Sequence, residues 1–131
     1  MDWNGIESPS LGDFETLARQ AFEALPGEFR ALTGDIHFRI EDFPDDDVVR
    51  DMGLESEFDI LGLFHGPDLA AHVAGHVHGR QTMIFLYRRP ILDYWAEHKE
   101  TLDAIVRHVL IHEIGHHFGL SDAAMEAIET A

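Results

Sequence analysis

His112 and Glu113 stand next to each other, and His116 follows one helical turn later in the run His112-Glu113-Ile114-Gly115-His116. On a helix, residues four apart share a face, so the two imidazoles can converge on one ion. Neutral imidazole is a good ligand for zinc, which accepts a tetrahedral set of nitrogen and oxygen donors. Glu113 is turned by about 100° from His112. It therefore misses the ion and reaches a water held on it. The chemistry this suits is zinc-dependent hydrolysis. Zinc lowers the pKa of its bound water towards about 7 and polarises a scissile carbonyl. Glu113 would take the water's proton as general base and return it to a leaving amine.

Such a site needs a third protein ligand. Gly119 follows His116 by three residues and Asp122 by six. Glycine can end the helix in the left-handed conformation and turn the chain back, which brings Asp122 towards the metal. The expected ligands are His112, His116 and Asp122, with Glu126 or Glu129 as substitutes for the last. Ser121 and Asp122 are also natural N-caps for a following helix, a competing role for Asp122. In a shuffled chain of this composition the His-Glu-x-x-His core arises with a chance of roughly 0.07; adding Gly119 and Asp122 lowers it to roughly 0.0006. The extended pattern therefore carries the argument. His108 makes a rival i, i+4 pair with His112. It cannot share an ion with both partners, since His108 and His116 lie about 12 Å apart along a helix. A packing or supporting role is expected for it, and a hydrogen-bonded structural role for His117.

The motif needs a helix, and the sequence supplies one. Thr101 caps a helix over Leu102 to Phe118, ended by Gly119. Val106, Leu110, Ile111, Ile114 and Phe118 fall on the side away from the two histidines, so one face anchors the helix while the other presents imidazoles. Upstream, Ser8-Pro9 starts a helix to about Leu25, with a short helical turn over Glu28 to Leu32. Ile36, Phe38 and Ile40 alternate with polar residues, a half-buried strand. Asp45-Asp46-Asp47 opens a short helix stopped by Gly53. Asp59 to His65 reads as a strand. Residues 66 to 81 read as a loop or irregular edge strand. Met83 to Tyr87 is apolar on both faces, a central strand. Pro90 opens a short helix through Trp95, and Ser121 or Asp122 caps the last one. The expected class is α+β: a small sheet with helices packed on it, in one domain over residues 1–131.

Composition narrows the function further. A formal charge of −16 argues against nucleic acid as a partner. The negative field favours a peptide or protein substrate of basic character. No apolar run is long enough for a membrane span, and the start of the chain has no secretory pattern. The absence of cysteine removes disulfides and thiolate ligands, and fits a cytoplasmic setting. His76-x-His78 has strand spacing and reads as a polar edge or loop before a second metal site. Arg88-Arg89 reads as a solvated pair. Tyr87, Tyr94 and His78 are candidate donors to a developing oxyanion, and residues 70 to 81 a candidate edge for pairing with a substrate backbone.

The pattern His112-Glu113-x-x-His116-x-x-Gly119-x-x-Asp122 resembles that of the zincin metallopeptidases. The wider sequence resembles the small bacterial zincin-like family. The stretches that carry this are Phe38-Arg39-Ile40-Glu41-Asp42-Phe43-Pro44, Ile60-Leu61-Gly62-Leu63-Phe64, Ile84-Phe85-Leu86-Tyr87-Arg88-Arg89-Pro90 and His112 to Leu120. The resemblance implies a minimal zincin fold with a central motif-bearing helix, His112 and His116 as ligands and Glu113 as catalytic residue. Only nine residues follow Asp122, too few for the methionine turn of larger metzincins, and Met125 is too close to the motif to serve as one. The expected activity is a zinc peptidase acting on peptides or flexible segments. The alternatives are a zinc-stabilised binding or regulatory module without turnover, and a histidine-rich metal buffer.

Overall fold

The computed structural model describes residues 2–66 and 82–131. Helix α1 spans Leu11–Glu23. Its start is fixed by a reciprocal cap: Ser10 Oγ accepts from Asp13 N–H, and Asp13 accepts from Ser10 N–H. The helix therefore begins two residues later than Ser8-Pro9 suggests, because the acid needed three places after the cap follows Ser10. Helix α2 is a single turn, Gly27–Arg30. Strand β1 covers Ile36–Glu41. Helix α3, Asp46–Asp51, is capped by the Asp45 carboxylate on Val48 N–H and closes through Gly53 at φ +66°.

Strand β2 is only Gly62–His65. Asp59 belongs to a turn, its carboxylate accepting from Ser56 N–H, so the expected strand over Asp59–His65 loses its first half. Strand β3, Thr82–Tyr87, lies in the centre of a three-stranded sheet of order β1-β3-β2. It runs parallel to β1, with Ile36 opposite Thr82, and antiparallel to β2, with Gly62 opposite Leu86. Helix α4 spans Arg88–Glu97 and starts ahead of Pro90, which sits in the first turn where no intrahelical N–H is needed. Helix α5 is Leu102–His117, capped by Thr101 on Ala104 N–H. Helix α6 is Asp122–Thr130, capped by Ser121 on Ala124 N–H. The fold is α+β with a small mixed sheet, as expected. Residues 67–81, with the expected loop or edge strand and His72, His76 and His78, lie outside the described residues.

The core forms where α1 and α5 meet the sheet. Phe14 and Ala18 of α1, Ile84 and Leu86 of β3, and Val106, Leu110, Ile111 and Ile114 of α5 are all fully buried in one cluster. Gly62 makes the approach of α5 to the sheet possible. A Cβ there would lie 2.7 Å from Val109 Cγ1 and 2.9 Å from the Phe85 carbonyl oxygen. Arg88 is not a solvated residue. Its guanidinium donates to the Pro9 carbonyl at 2.6 Å, to Asp42 Oδ1 at 3.1 Å and to Ser8 Oγ at 3.0 Å, tying three separate segments together. No described helix is long and apolar enough to cross a membrane.

Candidate metal centre

Helix α5 carries the motif with its apolar stripe inward, which fixes where the polar residues point. His116 is exposed, and its ring centroid lies 5.6 Å from that of His112. Two imidazoles bound to one zinc at about 2.1 Å place their ring centres roughly 5 Å apart, so the spacing of the pair matches a shared ion, which His112 meets by turning its Nε2 from the Glu129 carboxylate. Glu113 lies half-buried between them in sequence. Burial pushes its carboxyl up to about 7 from an ordinary 4.5. A base tuned near neutrality is well matched to proton transfer at neutral pH.

The helix ends in a Schellman turn. Leu120 N–H donates to the Gly115 carbonyl at 2.8 Å and Gly119 N–H to the His116 carbonyl at 3.1 Å, with Gly119 at φ +77°. The turn sends α6 back along α5, and two contacts set its position. Met125 is completely buried at Gly115, where a Cβ would lie 2.5 Å from its sulfur. Further along, Arg107 donates through both terminal nitrogens to the carbonyls of Glu129 and Ile128, at 2.8 and 2.9 Å.

Glu129 is thereby laid against α5. Its Oε1 accepts from His112 Nε2 at 2.6 Å and from His108 Nδ1 at 2.8 Å. Burial alone would raise the Glu129 carboxyl, but the hydrogen bonds and charges of His108 and His112 outweigh it and leave it below its ordinary value. Among the described residues, His108, His112 and Glu129 are the set whose ligand atoms all lie within 4.8 Å of one another. Two imidazole nitrogens and a carboxylate oxygen are a donor set suited to zinc. His116 and Asp122 do not join that cluster. Asp122 sits exposed in the first turn of α6, where Ser121 performs the capping. Glu126 is exposed on the same helix.

The remaining candidates separate cleanly. His117 packs on Phe64, ring centroids 4.4 Å apart, on the inner side of the helix. Tyr94 stacks on His98 and donates to Glu100 Oε2 at 3.2 Å. Tyr87 is buried at the end of β3, and its hydroxyl is pushed up to about 12, first by burial and then by the negative charges of Glu41, Asp45 and Glu113. It is therefore protonated at neutral pH.

A family model described as zincin-like metallopeptidase matches residues 33–131, which include the sheet, the motif helix and α6. The chain belongs to the zincin-like metallopeptidase family. A comparison with curated proteins finds no match. The family match covers every residue of the zincin motif and also Glu129, whose part in the cluster is not announced by the motif. Its signal in the sequence is indirect: Met125 and Glu129 share one face of α6, and a tight turn at Gly119 returns that face to α5.

The burial of Glu113 makes the metal-free zincin sensitive to pH. Its folded pKa is raised, so its contribution is fully present below about pH 4.5 and is lost as pH rises through about 7. Ionising it in place costs about 2 kcal/mol. In urea unfolding of chelated protein, the wild type should lose about that much stability relative to Glu113→Gln between those pH values. Parallel stability curves for the two proteins would refute it.

Proposed function

We propose that this zincin is a zinc-dependent peptidase acting on peptides or flexible segments, with Glu113 as general base. The observation that carries the reading is the half-buried Glu113, raised to about 7, beside two imidazoles spaced for one ion on a core-anchored helix. His112 and His116 would hold the zinc, with Asp122 as the third ligand. When bound, zinc supplies Lewis-acid polarisation of the scissile carbonyl and acidifies the attacking water. The Glu113 carboxylate accepts the water's proton and delivers it to the amine nitrogen as the peptide bond breaks. The rigid α5, packed against the sheet through Val106, Leu110 and Ile114, keeps Glu113 and the two rings in fixed relation.

The negative charge of the chain favours basic peptides by attraction at a distance. A zinc-loaded sample should cleave members of a peptide library, lose that activity to a chelator and regain it when zinc is restored. One tightly held zinc without any cleavage would instead establish a zinc-stabilised binding module.

A further inference from the structure

The stripe His108, His112, His116 contains two overlapping pairs at i, i+4, and only the second belongs to the family motif. We propose that His108, His112 and Glu129 form a second divalent-cation site, which shares His112 with the motif site and so competes with it for a single ion.

The three side chains are already gathered around one carboxylate oxygen, with a ligand atom of each within 4.8 Å of the others. The rings of His108 and His112 stack at 4.0 Å with planes 27° apart, and an ion would splay them by about 1 Å towards the spacing of two imidazoles on one zinc. Both meet the same oxygen, Glu129 Oε1, at 2.8 and 2.6 Å. An ion entering there takes one nitrogen from each ring and a carboxylate oxygen, with the ring protons carried on the other nitrogens. Ions that accept such a nitrogen and oxygen set are zinc, cobalt and nickel. The arrangement is also held in place. Arg107 grips the carbonyls of Ile128 and Glu129, and Met125 seats α6 at Gly115, so the carboxylate is positioned by two contacts that take no part in binding. Solvent reaches the cluster: the His108 side chain is 52% exposed, and a pocket of about 130 Å³ beside it is lined by Leu61, Tyr94, Glu100 and Ile105.

Exclusion between the two sites follows from the helix. His108 and His116 are about 12 Å apart along the axis, so no ion reaches both. His112 is common to both pairs, and its Nε2 can hold one ion at a time. The chain therefore carries one ion in either of two registers. The Glu129 register leaves the motif's own histidine, His116, out.

Titration of the full metal-free chain with Co²⁺ alone tests this. The wild type should bind one ion. His116→Ala should still bind one, with Kd raised by less than about tenfold, and adding Glu129→Gln to it should weaken binding by about a hundredfold or more, beyond the usual cost of losing a partner outside the ligand set. The d–d absorption of the wild type should be a mixture, and His108→Ala should reduce it to one component. If His116→Ala abolishes Co²⁺ binding while its metal-free melting is unchanged, the second site does not exist. A wild-type spectrum identical to that of His108→Ala excludes the site equally, and two independent ions per wild-type chain would refute the competition. None of these results touches the peptidase reading, which falls separately if Glu113 proves dispensable for cleavage.

Discussion

Glu113→Gln should slow peptide cleavage by about 10²–10⁴-fold, the range that a positioned general base contributes. Gln keeps the size of the side chain and its place between His112 and His116, but it cannot take up a proton. Zinc content and KM should stay near their wild-type values, because neither metal donor is altered and the loss is confined to the chemical step. Steady-state kinetics on a peptide substrate, with zinc measured in the same samples, separates this from loss of metal. A variant that cleaves as fast as the wild type would remove Glu113 from the mechanism. The same substitution should leave the metal-free protein more stable at neutral pH, since it removes a carboxyl that burial disfavours in its ionised form. Opposite signs for activity and stability are the expected signature of a functional group held in an unfavourable place.

Met125→Ala should cost about 2–5 kcal/mol of folding stability, the range for truncating a buried methionine. Met125 is completely buried, and its Cγ and sulfur occupy the space left open by Gly115. Its removal leaves a void between α5 and α6 that the two helices cannot close without losing the Arg107 bonds to Ile128 and Glu129. Urea unfolding at fixed pH in the presence of chelator measures the effect without a contribution from metal. A cost below about 1 kcal/mol would mean that Met125 does not seat α6.

The elements that carry their own punctuation are readable in the sequence. Helix α5 has Thr101 at one end, Gly119 at the other and an apolar stripe between, so its position and its buried face are both legible. Helix α3 has Asp45 and Gly53, and β3 is apolar on both sides. Elements whose limits are set by partners are not. Strand β2 begins at Gly62 because that is where the backbone meets Leu86 of β3 and the close approach of Val109. Arg88 looks like a surface cation until the chain folds and Ser8, Pro9 and Asp42 converge on it.

The candidate site divides in the same way. His112, Glu113 and His116 are local, and the helical repeat alone predicts their relation. The carboxylate that meets the rings is not local. Seventeen positions separate His112 from Glu129, and their meeting depends on the angle at which α6 returns, which Met125, Gly115 and Arg107 decide together. The motif spacing points to Asp122. In the structure it occupies the first turn of α6, and the carboxylate that reaches His108 and His112 comes from two turns further on.

The family match begins at residue 33, but the apolar cluster does not. Phe14 and Ala18 have no exposed surface, and α1 lies against the rear of α5 as well as against β1. An expression boundary drawn at the start of the family match would strip that cover away. It would leave the scaffold of the metal-binding helix wet on the side where no chemistry happens, and a fragment containing every catalytic candidate would be poorly soluble for reasons unrelated to catalysis.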